Sequence, residues 1–142
     1  MSRFVIIVQC DEIGKRCAGF LCVRDFYARK GMFRDYPEDT RYMTLSCGGC
    51  PGQRLAQELE HLARRMADEG IRKEDTVLHF ASCMVSDNHH HSACPFVKAM
   101  FETARKHGFK NIVSGTYISQ TSERKRKAGI YRPWIQPEPE KE

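Results

Sequence analysis

The chain has 142 residues, 41% of them hydrophobic and 29% charged, with 23 Lys and Arg against 18 Asp and Glu for a formal charge of +5. That is one domain's worth of ordinary globular composition, long enough to bury a core without staples. No apolar run nears the roughly 20 residues of a membrane span, and five apolar residues near the N-terminus are too few for a signal-peptide core, so the expected compartment is cytoplasmic.

Four apolar, β-branched runs alternate with three helical patterns. Phe4 to Val8 is apolar at every position, as in a strand covered on both faces. Cys17 to Lys30 carries Phe20, Val23, Phe26 and Tyr27 at helical spacing and stops at Gly31. Residues 32–40 read as loop, and Tyr42 to Leu45 as the second strand. Leu55, Leu59, Leu62 and Met66 then mark one helical stripe closed by Gly70, with Pro51 suited to the first turn. Thr76 to Ala81 reads as the third strand. Pro95 announces another helix, with Phe96, Val97, Met100, Phe101 and Ala104 as its stripe. Asn111 to Tyr117 is the fourth strand. Residues 119–129 are polar and basic, with a short helix as one reading, and 136–142 read as a disordered tail. The expected fold class is α/β, a three-layer sandwich around a four-stranded, mostly parallel sheet of flavodoxin or Rossmann type. Residues 1–118 form the domain body, and 119–142 a basic segment and tail of the same single domain.

Sulfur is the unusual component. The cysteines are Cys10, Cys17, Cys22, Cys47, Cys50, Cys83 and Cys94. An odd number in a reducing compartment points to metal ligation or thiol chemistry rather than a disulfide framework. All strands of a parallel sheet open their C-termini onto one edge, where open α/β sheets place their ligands. Cys10, Cys47 and Cys83 close the first three strands, while Cys17, Cys50 and Cys94 open the helices. Six of the seven therefore fall on Cys-rich loops at that edge, and Cys22 has no assigned role. Exposed N–H groups at helix starts favour a thiolate, which predicts lowered pKa values for Cys50 and Cys94.

His89, His90 and His91 lie in the loop after the third strand, and His61, His79 and His107 read as structural. The candidate metal ligands are Cys10, Cys17, Cys47, Cys50, Cys83 and Cys94, with His89 and His91. Thiolate with imidazole is the usual zinc set, and cysteines alone suit an iron–sulfur cluster. The alternative is a thiol–disulfide redox enzyme in which Cys47 attacks and Cys50 resolves. A minor alternative rests on Cys10-x5-Arg16, similar to the loop of low-molecular-weight tyrosine phosphatases and related arsenate reductases, although Asp11 and Glu12 would repel a dianion there.

The whole set resembles the CGGC-domain family, named for the tetrapeptide standing here as Cys47-Gly48-Gly49-Cys50. A cysteine closes the first strand, and two more follow at the spacing of Cys10, Cys17 and Cys22. CGGC-Pro-Gly comes next, then a strand carrying His79 and Cys83, and finally Cys94-Pro95. The resemblance runs from residue 4 to about 117 and implies a metal site, usually zinc, with no stated reaction. The expected partners are a metal ion and an unidentified small molecule or protein, with no membrane. Nucleic acid is not expected, since the basic cluster Glu123 to Lys127 comes without a recognition motif.

Overall fold

The computed structural model describes residues 3–138. In chain order the elements are β1 (Phe4–Gln9), α1 (Asp11–Gly14), α2 (Phe20–Ala28), β2 (Arg41–Ser46), α3 (Leu55–Asp68), β3 (Thr76–Phe80), α4 (Ser82–Val85), α5 (Val97–Lys106), β4 (Ile112–Ser114) and α6 (Gln120–Lys127). The sheet order is β2-β1-β3-β4, and every neighbouring pair is parallel. The expected α/β architecture with one parallel sheet is the observed one.

The chain moves from β1 outward to β2, then returns across β1 to β3. Crossovers of one hand that travel in opposite directions lie on opposite faces of a sheet. Accordingly Phe4, Ile6 and Val8 of β1 pack toward Leu55, Leu59 and Met66 of α3 and Val97, Met100, Phe101 and Ala104 of α5. The alternate residues Val5 and Ile7 face Phe26 of α2 and Phe33. Both faces of β1 are thus dry, which is why its sequence is uniformly apolar rather than alternating. The reversal also opens a crevice beyond the C-terminal ends of β1 and β3, the usual ligand position of such sheets.

Several boundaries differ from the sequence expectation, and the differences concern the site. A helical turn, α1, follows β1 directly, and α2 starts only at Phe20, so Cys17 sits in a loop rather than opening a helix. The stripe expected on α2 is only partly internal: Phe26 is buried, but Phe20 and Tyr27 are 68% and 67% exposed. Pro51 does not start α3. The Cys50–Pro51 peptide is cis, a turn covers residues 50–54, and the helix begins at Leu55. Likewise α5 begins at Val97, leaving Cys94 three residues upstream and Phe96 partly exposed. Cys83 lies within the short α4 instead of an open loop. The fourth strand is three residues long, much shorter than Asn111 to Tyr117.

The basic segment forms α6, with the Ser119 hydroxyl accepting from the Ser122 amide at 3.3 Å. After it, residues 131–135 are strapped to the body. The Arg132 guanidinium and amide donate to the Asp87 carboxylate, and the Ile135 amide donates to the Val85 carbonyl at 2.8 Å. Residues 136–138 carry no regular structure, and the remainder of the expected tail, 139–142, lies outside the described residues. No helix among the described residues is long and apolar enough to cross a membrane.

Candidate functional site

The register of β1 against β2 pairs Phe4 with Arg41 and Gln9 with Ser46. One step further along the same register stand Cys10 and Cys47, tied by the Cys47 amide donating to the Gln9 carbonyl at 3.0 Å. Neighbouring strands run about 4.8 Å apart, so two in-register side chains on one face meet directly. The Asp11 amide donates to the Cys47 sulfur at 3.3 Å, and the Cys10 thiol hydrogen-bonds to that same sulfur. Both cysteines are buried, at 8% and 4% exposure.

This arrangement divides one proton unequally between two sulfurs. The Cys10 thiol donor, helped by the Asp11 and Gly49 amides and opposed by burial, lowers the Cys47 pKa to about 6. Its partnership with Cys47, together with burial, pushes Cys10 far up, so Cys10 remains the proton holder. No cation contributes: Lys15 and Arg16 both turn to Glu12, at 3.1 and 3.8 Å. That geometry gives the Cys10-x5-Arg16 reading no support, because its nucleophile keeps its proton and its arginine faces a carboxylate.

The CGGC loop is built to aim Cys47 inward. The Ser46 hydroxyl accepts from the Gly48 amide at 2.9 Å, and the Arg54 amide donates back to the Cys47 carbonyl at 3.3 Å. Gly48 holds φ at +76°, and a Cβ there would lie 2.5 Å from the Arg54 Cβ, so only glycine fits this closely folded turn. Cys50, at the outer end of the loop, is exposed. The sequence pair Cys47 and Cys50 therefore diverges here, with one sulfur facing β1 and the other facing solvent.

Neither Cys50 nor Cys94 stands at a helix start. Cys50 lies five residues before α3, outside the reach of its first turn. Cys94 receives the Phe96 amide at 3.4 Å, yet burial, with Cys50 and Cys47 as like-charge neighbours, raises its pKa.

A second sulfur group lines a cavity of about 330 Å³ beyond the ends of β1 and β3. Cys10, Cys17, Cys22 and Cys83 form its walls, with Gln9 and Asp11 at the rim. Burial, followed by the nearby Cys22 and Cys17 sulfurs, pushes the Cys83 thiol up to about 12. Cys22 touches the Thr116 hydroxyl at 3.1 Å and is raised chiefly by burial. Cys17, Cys22 and Cys83 also wall a smaller cavity of about 120 Å³, which adds His89, His90 and Trp134. The sequence assigns Cys22 no role, yet helical spacing marks it: Cys22 lies four residues before the buried Phe26 and shares its face.

The histidines separate cleanly. His89 reaches the smaller cavity and stacks on His90 at 4.0 Å, whereas His91 turns its Nδ1 to the Ser92 carbonyl. His79 is a core residue held by the Tyr36 hydroxyl at 2.7 Å and the Gly115 carbonyl at 2.9 Å, with burial lowering its pKa to about 4. His107 contacts Glu60 on the surface, and His61 lies in a groove on the α3 side, away from the sulfurs. Among the described residues, no three His, Cys, Asp or Glu side chains converge closely enough to hold a metal ion.

No curated protein and no solved structure matches the chain. The model of the CGGC domain matches residues 4–117, from the first residue of β1 to just beyond β4. This span includes all seven cysteines, and such cysteine richness fits a metal-binding role. The chain belongs to the CGGC-domain family.

Proposed function

We propose that the protein is a thiol–disulfide redox protein whose nucleophile is the Cys47 thiolate and whose resolving partner is Cys10. The observation that supports this is the in-register contact of the two sulfurs across β1 and β2, with Cys10 as proton donor. A thiolate near pH 7 is the species that attacks a disulfide. Cys47 attacks one sulfur of a substrate disulfide and releases the other half as a thiolate. Cys10 then attacks the Cys47 sulfur, its proton passing to the departing groups, and the substrate leaves fully reduced. The protein is left with a Cys10–Cys47 disulfide, which an external dithiol must reduce.

The test is peptide mapping after equilibration in glutathione buffers. Cys10–Cys47 as the redox-active disulfide, with a potential within about −120 to −270 mV, supports the proposal. Reversible oxidation confined to Cys47–Cys50 moves the chemistry to the loop pair, and no reversible disulfide at all sinks the redox reading.

A second reading is a soft metal ion, zinc or an iron–sulfur cluster, held by thiolates from Cys10, Cys17, Cys47, Cys50, Cys83 and Cys94 with His89 or His91. It is favoured by Cys94, whose buried thiol has Cys50 and Cys47 as like-charge neighbours. The donor chemistry suits zinc, but the arrangement does not offer the three or four converging donors that zinc requires. The CGGC loop would have to swing Cys50 inward first. Elemental analysis after anaerobic, chelator-free purification decides it: about one equivalent of zinc, or iron with sulfide, supports this reading, and metal-free protein refutes it.

A further inference from the structure

We propose that Cys83 and Cys22 continue the redox pair into the interior, receiving the disulfide from Cys10–Cys47 and storing it as Cys22–Cys83 in the wall between the two cavities. The inference rests on the redox reading above and adds a second, internal exchange to it.

The geometry carries the argument. Cys10, Cys22 and Cys83 line one cavity, so no side chain need be crossed between them. Cys10 and Cys83 each stand two residues past the point where the Ala81 amide donates to the Val8 carbonyl at 2.9 Å. Cys22 shares both cavities with Cys83. Cys22 is anchored at the opposite wall by Thr116, whose amide and hydroxyl bridge to Ser82, the residue next to Cys83. Cys10, Cys83 and Cys22 thus form an ordered chain of neighbours. Cys17, which faces both cavities, stands beside the last of them.

The chemistry balances without an added oxidant. Cys83, deprotonated, attacks the Cys10 sulfur of the Cys10–Cys47 disulfide. A Cys83–Cys10 bond forms, and Cys47 leaves as the thiolate its hydrogen bonds favour. Cys22, deprotonated, then attacks the Cys83 sulfur, and Cys10 leaves and recovers a proton. Two electrons pass from Cys22 and Cys83 to Cys10 and Cys47, and one proton goes to solvent. The Asp11 amide, which donates to the Cys47 sulfur at 3.3 Å, favours Cys47 as the leaving thiolate and so drives the transfer inward.

The experiment uses the full chain as wild type, Cys83→Ser and Cys22→Ser, with Cys47→Ser as a fourth protein. Each protein is reduced, mixed with one equivalent of oxidised glutathione, acid-quenched at intervals, alkylated and mapped by mass spectrometry. In the wild type Cys10–Cys47 is expected first and Cys22–Cys83 later at its expense. Cys83→Ser should stop at Cys10–Cys47, and Cys22→Ser should accumulate Cys10–Cys83. The relay is overturned if wild-type protein holds Cys10–Cys47 to the end while Cys22 and Cys83 stay alkylated; the redox pair then survives alone. It is also overturned if Cys22–Cys83 forms undiminished in Cys47→Ser. If Cys10–Cys47 appears in none of the first three proteins, the redox reading fails, and the relay fails with it.

Discussion

Replacing Cys10 with alanine removes the donor that makes Cys47 acidic, and the structure sets the size of the effect. Cys47 falls from 9.0 to about 6, a preference for the thiolate of about 4 kcal/mol at a site only 4% exposed. The Asp11 and Gly49 amides remain in the variant, so only the Cys10 share is lost. A hydrogen bond to a charged acceptor contributes about 1.5–3 kcal/mol, which raises the titration midpoint by about one to two pH units. At pH 7 the thiolate fraction drops from about nine-tenths to between about one-tenth and one-half. Ultraviolet thiolate absorbance read from pH 5 to 9 isolates this transition once the Cys47→Ser trace is subtracted. Iodoacetamide alkylation of the Cys47 peptide provides an independent midpoint. A Cys10→Ala midpoint equal to the wild-type value refutes the shared-proton account, as does one that moves to lower pH.

Three further outcomes are expected. Cys47 has a folded pKa below its unfolded value, so the unfolded chain binds more protons between about pH 6 and 9 and stability rises with pH there. From pH 6 to 8 the wild type should gain about 2 kcal/mol over Cys47→Ser in urea unfolding, and lose that gain as pH falls through 6. Gly48→Ala forces a side chain into a left-handed turn against Arg54, at a cost of about 1–3 kcal/mol, and should slow Cys47 alkylation; unchanged behaviour on both measures means the turn is not constrained. Asp87→Ala cuts the strap at Arg132 and frees the Ala93 amide, with an expected loss of about 2–3 kcal/mol in the same unfolding assay; no change would mean that the strap is dispensable.

The parallel sheet was legible because two signals agreed. Uniformly apolar strands need cover on both faces, and helical stripes such as Leu55, Leu59 and Met66 provide it. The edge position of the cysteines followed from the strand ends alone. What the sequence concealed was direction. Proline and polarity suggest helix starts at Cys17, Pro51 and Pro95, but non-helical stretches of two to four residues intervene before Phe20, Leu55 and Val97. Those stretches remove Cys50 and Cys94 from the helix ends. The acidity belongs to Cys47 instead, through a thiol 37 positions earlier in the chain. No local pattern encodes that distance. It is set by the β1–β2 register, and a one-residue slip would turn the two sulfurs to opposite faces.

That register yields a thermodynamic distinction between the two possible disulfides. A Cys10–Cys47 bond closes a loop of about 38 residues, which in the chain-entropy model stabilises the fold by about 4 kcal/mol, against about 2 kcal/mol for the four-residue Cys47–Cys50 loop. Oxidation also removes the Cys47 thiolate, which at pH 7 and a pKa of about 6 stabilises the reduced fold by about 1.4 kcal/mol. The net gain on oxidation is then about 2–3 kcal/mol for the strand pair and close to zero for the loop pair. Urea unfolding of the oxidised and reduced forms of Cys50→Ser measures the first quantity. The same comparison on Cys10→Ser, which leaves less thiolate to lose, should give no more than about 2 kcal/mol, the contribution of the loop alone. A gain confined to Cys10→Ser would place the working disulfide in the loop and remove the reason for β1 and β2 to end together on sulfur.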